Sequence, residues 1–594
     1  MMERDRPQNA GQAAGQGLGQ NAGQNVGQAA GQGSGQGRDY AAPQSAPDLG
    51  AEPAGLSAAL PQGLSDGPGN TARTAPSPAI VAALGLLAVL FLGLAGRILA
   101  FPIGRDENLF ITVSRLWGTG DIYRDFGYNH LPYLPYILGG FYWLTGTGHV
   151  LLLGRMLIVA AWAMAIGALW LIARHQRTGF PAFFTAAMLL MGNVLLIGPP
   201  GMMVSNNFLP IPFALMAIHF LLCGLDRERP SWMCCFVAGV LVSVAVGLKA
   251  NYIFIAPFLA VTTLLAPLAH PLRQRLTCGT VPLALGGLTG GIPALIAIAS
   301  DPDAFFAHTI RYFTQLQPVY WMHSTEPKVI GVAQKILLAE DIWTSNATLL
   351  ALVGAVALVA LPLRRRGWRD GVLAVWSWPV VLAAVLALMG VVVAFVPSPS
   401  FPQYFAPPIP FLILLVVLLR ARTLSENRLA ADAVLLSLAF VALLCAGSRL
   451  GPGLISLARP TSWEGVKIHR EMRALARSAG ASSGDSVATL SPVLALEGGF
   501  SLPGEFAAGQ FVYRVADYMP PQDRTYWTTT SPTRLVSWLD ANHPSAILIG
   551  GEEPLEQAFA DYARSHGYLE FASRRNGTGP VLYRRPLNPD EASQ

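Results

Sequence analysis

Two adjacent carboxylates are the first residues in this chain with chemistry to offer. Asp106 and Glu107 stand in GRDENLF, directly after an apolar run over about 78–100. A pair so placed either binds a divalent cation, acts as general base on an acceptor hydroxyl, or is a solvated pair of loop charges. Neighbouring residues do not automatically face one site, so one of the two is enough for catalysis; Asp106 is also the candidate metal ligand. The stretch continues DIYRDFGYNHLPYLPY, with Arg124, Asp125 and His130 among several tyrosines. Arg124 either contacts substrate or pairs with Asp125. His130 binds a metal, donates to a phosphate or caps the next segment, and the tyrosines double as interfacial anchors.

Further along, Lys249 lies in AVGLKANYIFIAPFLA, between two apolar runs. A lysine near lipid is costly unless it snorkels or meets an anion. A lipid-linked phosphate accounts for its position, as does plain snorkelling. HTIRYFTQLQPVYW supplies His308, Arg311, Tyr312, Tyr320 and Trp321. Arginine grips phosphate through paired donors, and the aromatics stack on a sugar or anchor a loop. In PSPSFPQYFAPPIP, Gln403 and Tyr404 are candidates to complete a polar pocket, while the prolines stop and start helices.

These residues need a membrane body to hold them. The chain has 594 residues, 52% hydrophobic and 13% charged, with net charge +5. Apolar runs recur from 78 to 447 and approach the ~20 residues that cross a hydrocarbon core. Lipid offers no partner for open backbone groups, so they must be helices. The expected spans lie near 78–100, 150–173, 181–199, 206–224, 232–247, 250–268, 281–299, 347–363, 372–396, 404–420 and 430–447. The segment 132–148, short and with two prolines, is expected to lie re-entrant or along the interface. The arginines at 174/177, 227/229, 273/275, 364–369 and 420–428 mark cytoplasmic loops by the positive-inside tendency. The N-terminus is then cytoplasmic. The stretches 101–131, 300–345 and 397–403 and the C-terminal region are extracytoplasmic.

Residues 1–77 are Gly/Ala/Gln/Pro-rich and lack the apolar side chains that offset the entropy of ordering, so a disordered tail is expected. The region 448–594 alternates amphipathic helices such as VKIHREMRALARSAG with short strands such as AILIG, which suggests a small α/β domain. A terminal hairpin would turn at Asn576, Gly577 and Gly579. The five cysteines lie in or beside apolar segments and read as small buried hydrophobes. The fold class is therefore mostly α: a polytopic bundle of about 11 to 12 spans over 78–447 with a soluble C-terminal domain.

The order of GRDENLF, DIYRDFGYNHLPYLPYILGGFYWLTG, VAVGLKANYIFIAPFLA, HTIRYFTQLQPVYW and FPQYFAPPIPFLILL resembles the GT-C superfamily of membrane glycosyltransferases, near the protein mannosyltransferase and aminoarabinose transferase group. The resemblance covers most of 78–447, and a small α/β domain after the last span is common there. It implies transfer of a sugar from a polyprenyl-phosphate donor to an extracytoplasmic glycan, lipid or protein acceptor, in a bacterial inner membrane and without nucleic acid. By that resemblance Asp106 is the first-loop acid, Lys249 and Arg311 lie near donor phosphate, and Tyr404 borders the donor cavity. A second carboxylate, common in relatives, is replaced by Asn206 and Asn207 in MMVSNNFLPIP. Asp106 or Glu107 would then do more of the work, and a divalent cation is not assured. The competing reading is a transporter or flippase of a lipid-linked or small amphipathic solute. A third is an assembly subunit that tolerates loss of Asp106 and Lys249.

Overall fold

The computed structural model describes residues 77–226, 228–266, 270–573 and 579–586. The expected tail apart from Ser77, Arg227, and the turn residues Asn576 and Gly577 lie outside the described residues. Helix α1 (Pro78–Ala100) starts where it should: the Ser77 hydroxyl accepts the Ile80 N–H at 3.4 Å and Pro78 occupies the first turn. Its 23 residues span about 34 Å, enough to cross hydrocarbon. Among the described residues six helices are long and apolar enough to do so: Pro78–Ala100, Val150–His175, Leu272–Ser300, Ala347–Val375, Pro402–Ala421 and Ser425–Leu457. Five shorter apolar helices join them: Phe180–Met191, Pro210–Leu225, Trp232–Leu248, Ala250–Leu265 and Trp378–Ala394. Six and five make eleven, and the chain is an integral membrane protein.

The early elements carry the site. After α1 come α2 (Arg105–Leu116), α3 (Tyr133–Thr145), α4 (Val150–His175), α5 (Phe180–Met191), the single turn α6 (Pro199–Met202), α7 (Pro210–Leu225) and α8 (Trp232–Leu248). Helix α3 is the doubtful segment 132–148. Its 13 residues reach only about 20 Å, and Trp143 and Leu144 at its end are exposed. Tyr133 at its start donates to Gly290 O at 2.7 Å, and Gly139 fits closely over Ser114 and Trp117 of the α2 end.

The stretch 300–345 differs from the flexible loop that its polarity suggests. It forms helices over Pro302–Phe306, Ala307–Leu316, Gln317–His323 and Val332–Trp343. Its polar residues are used on the C-terminal domain: Arg311 pairs with Asp523 at 2.9 Å, and His308 lies between Tyr128 O (2.9 Å) and Tyr526 O (2.7 Å).

The C-terminal domain holds a four-stranded sheet of β1 (Val487–Ala488), β2 (Ala546–Ile549), β3 (Leu569–Ala572) and β4 (Val581–Arg584), in the order β1-β2-β4-β3. β1 is parallel to β2, and β4 is antiparallel to both β2 and β3. Helices Glu464–Ser478, Leu535–Asn542 and Gln557–Ser565 accompany it. The described residues cluster as one unit, membrane body and sheet domain together.

Helix α1 crosses Arg428–Leu457 at glycines. A Cβ on Gly96 would fall 1.8 Å from Gly453 O, and one on Gly93 would fall 2.5 Å from Leu450 O. Small residues let backbones approach where lipid gives no hydrophobic drive to associate. Gly96→Val is therefore expected to abolish recovery of monodisperse protein from detergent extracts. Gly85→Val, on the same helix with nothing within 4 Å, is expected to leave it unchanged; size-exclusion profiles of the two variants check this.

Candidate functional site

The two neighbouring carboxylates at the start of α2 part company. Glu107 is fully buried and takes Arg155 of α4 bidentately, with both N–O distances 2.6 Å. It also accepts the Val204 N–H at 2.9 Å and the Gly104 N–H at 3.1 Å, the latter completing a cap on α2. Arg155, itself fully buried, spends its other donors on Ile98 O (2.7 Å), Met202 O (3.1 Å) and Pro102 O (3.2 Å). One ion pair thus ties together the end of α1, the start of α2, α4 and the α6 turn.

Asp106 faces the other way. Its Oδ2 accepts from Asn207 Nδ2 at 3.1 Å, and Asn207 Oδ1 accepts from Lys249 Nζ at 2.6 Å. Ser205 Oγ receives a second proton of the Asn207 amide at 3.0 Å. The ammonium lies 5.3 Å from the centre of the Tyr404 ring, within cation–π range. Local structure explains the placement: α8 ends at Leu248 and Lys249 is extended (φ −150°), so its side chain leaves the helix axis and meets the turn before α7. Burial pushes the Asp106 carboxyl above the ordinary carboxylate range, opposed by the Lys249 charge and the Asn207 hydrogen bond. His130 is beside this group, bonded to Asn129 Oδ1 at 2.8 Å and packed on Phe110. Burial and then the Lys249 charge pull its imidazole down to about 3, so it is a neutral hydrogen-bonding group there.

A second cation comes from the C-terminal domain. Arg514 is almost wholly buried, its guanidinium 4.9 Å from the Tyr320 ring and 5.4 Å from those of Trp321 and Phe511. Its Nε has no hydrogen-bond partner among the described residues, and its charge acts on Asp106, Tyr312 and Glu552. Sequence reasoning missed Arg514, because FVYRVADY carries no signal that this part of the sheet domain reaches the membrane body. At the rim, Arg105 Nε meets Glu552 at 3.1 Å, and Gln510 donates to Glu552 at 2.7 Å. The loop bearing Glu552 is held by Glu556, which accepts the N–H groups of Gly550, Gly551 and Glu552.

The other candidates fall in different places. Tyr312 is buried and donates to Phe511 O at 2.9 Å. Gln403 is half-buried in the same 3-10 turn as Tyr404 (Pro402–Phe405). Arg124 is largely exposed and pairs with Asp301 at 3.4 Å, not with Asp125. Arg311 is engaged by Asp523 and by Asp303 O at 2.9 Å, so its donors face the domain junction. The donor set around Asp106 does not suit a divalent cation: one carboxylate, already bonded to an amide, with an ammonium beyond it and Glu107 turned to Arg155. An apolar cleft of about 110 Å³ runs between α3, α4 and α7, lined by Leu134, Leu157 and Phe213, and also by Leu209 and by Leu248, which precedes Lys249 in the chain.

No family model matches the sequence, and no curated protein does. Among solved structures, the chain is similar to ArnT from Cupriavidus metallidurans bound to undecaprenyl phosphate. The TM-score is 0.52 at 14% identity, covering 86% of this chain and 100% of that one. The apo state of the same protein gives 0.50 at 13% identity, over 86% and 99%. The chain thus shares the fold of that ArnT structure over most of its length.

The opposed surroundings of the two carboxylates separate their roles by stability. Glu107→Gln leaves a buried guanidinium without its counter-ion and is expected to cost about 3–5 kcal/mol. Asp106→Asn keeps a hydrogen-bonding group and removes a buried charge, and is expected to leave the unfolding midpoint unchanged or higher. Thermal unfolding of both variants in detergent checks the contrast.

Proposed function

We propose that this chain is a glycosyltransferase that moves a sugar from a polyprenyl-phosphate donor to an acceptor hydroxyl on the extracytoplasmic side. The observation that carries the reading is the buried relay Asp106–Asn207–Lys249, an acid and a cation held one amide apart. The shared fold adds support, since the ArnT structure was solved with undecaprenyl phosphate bound.

The geometry suits a direct displacement. The donor's hydrocarbon tail lies along the bundle, entering at the apolar cleft. Its phosphate takes Lys249 as counter-charge, with Arg514 as a second cation on the domain side. The acceptor oxygen attacks the anomeric carbon, and the bond from that carbon to the phosphate oxygen breaks. The hydroxyl proton passes to Asp106, and polyprenyl phosphate leaves with the electron pair. Displacement in one step inverts the anomeric centre. Tyr404 keeps the Lys249 ammonium against an aromatic face, and neutral His130 offers a hydrogen bond without adding charge.

Three measurements bear on this. Purified wild type given a panel of polyprenyl-phosphate sugars is expected to release polyprenyl phosphate from at least one, with Asp106→Asn slower by roughly 10²–10⁴-fold. Equal release by both, or none from any donor by folded protein, overturns the reading. Arg514→Gln is expected to weaken donor binding on the order of 10–100-fold, the scale of a lost charged hydrogen bond, seen in KM more than in kcat. The base must be ionised, so kcat/KM falls as pH drops through the raised Asp106 pKa. Asn207→Leu removes a hydrogen bond that favours the carboxylate, and the acid limb is expected to move to higher pH.

A further inference from the structure

A second cluster of chemically able side chains lies outside this site, where the N-terminal end of α4 meets the C-terminal domain. His149 directly precedes α4. His469 comes from helix Glu464–Ser478, and Glu497 from the short helix Pro492–Gly498. One ligand-type atom from each lies within 4.8 Å of the other two. The imidazoles pack against each other, with ring centres 3.8 Å apart and planes tilted by 34°. His469 Nδ1 is 2.6 Å from Glu497 Oε2, while Glu497 Oε1 accepts the Leu151 N–H at 2.8 Å. Glu497 is fully buried, and His149 Nδ1 is a buried nitrogen with no hydrogen-bond partner among the described residues.

Two features point to a ligand. An orphaned buried imidazole nitrogen forfeits a hydrogen bond that water or a partner would supply. Two imidazoles packed with their planes tilted by 34°, beside a buried carboxylate, supply the N, N, O donor set that Zn²⁺ takes in three-protein-ligand sites, with a fourth position left for water. Part of the His469 ring is open to solvent, which gives an ion a way in. From this geometry we infer that His149, His469 and Glu497 bind a Zn²⁺ ion. The ion would pin the C-terminal domain to the N-terminal end of α4, because two ligands come from the domain and one from the membrane body. The Leu151 N–H already bonded to Glu497 orients the carboxylate, as partners outside the coordination sphere do in zinc sites. Arg473, one turn beyond His469, opposes the ion: its guanidinium and the His469 ring both come within 4 Å of the position a Cβ on Gly148 would occupy.

The test uses full-length, tag-free protein in detergent, stripped with chelator and desalted. After addition of ZnCl₂ the bound metal is counted by elemental analysis and competed with a chromogenic chelator. Co²⁺ replaces Zn²⁺ in a parallel sample to read its visible absorption. The expected result is one Zn²⁺ per chain and a tetrahedral Co²⁺ spectrum. His469→Ala and His149→Gln are each expected to bind at least 10-fold more weakly, and Arg473→Gln more tightly. His149→Gln removes no hydrogen bond of the metal-free protein, so its chromatographic profile without metal should match wild type. Failure of the wild type to retain Zn²⁺ at micromolar free concentration overturns the assignment, as does equal retention by His149→Gln.

Discussion

The side-chain amide of Asn207 gives to Asp106 with one end and takes from Lys249 with the other. The proposed transfer chemistry depends on that placement. An ammonium and a carboxylate brought into direct contact would neutralise each other, and neither would be open to a substrate. Fully separated in a buried setting, each would bear the whole desolvation cost alone. One amide between them lets each charge feel the other while leaving one face of each uncommitted. Lys249, which only donates, and the accepting Asp106 carboxylate set which way the amide points, and Ser205 Oγ takes its second proton. An aspartate at position 207 would instead put two carboxylates side by side, each raising the other's pKa.

This relay stays in register because a second ion pair, which touches no substrate in the proposed reaction, fixes the surrounding chain. Arg155 and Glu107, two fully buried side chains, join four segments through their hydrogen bonds. Buried pairs of this kind are weak contributors to net stability but severe when broken. Their use here is geometric. Glu107 holds the first turn of α2, so Asp106 one residue earlier must point towards Asn207. The helices of 302–343 and the sheet domain close over the same region and bring Arg514 to it, so the domain supplies part of the site.

Much of this was legible in the residues themselves. Apolar run lengths set the number of helices, and two prolines with a short run marked 132–148 as the exception. The strand Ala546–Ile549 fell where AILIG suggests one. Lys249 stood out because a cation between two apolar runs needs an anion. What stayed hidden were the partnerships between distant segments. Asp106 and Glu107 look alike in sequence, and only Arg155, 48 positions on, separates their roles. Asn207 read as a missing carboxylate, yet its two-ended amide is what connects acid to cation. Arg311 read as a phosphate ligand by its neighbours, and Asp523, 212 positions away, claims its donors. The stretch 300–345 looked like a loop because its polar side chains face a domain that lies far along the chain.

The charge logic of the relay is most directly tested by binding without turnover. Undecaprenyl phosphate affinity would be measured by native mass spectrometry for wild type, Lys249→Met and Asp106→Asn. If the cation is there for phosphate and the acid for the acceptor, Lys249→Met binds more weakly, while Asp106→Asn, relieved of a negative charge, binds as tightly as wild type or more so. Equal affinity in all three proteins, or equal weakening by both substitutions, would contradict that division of roles.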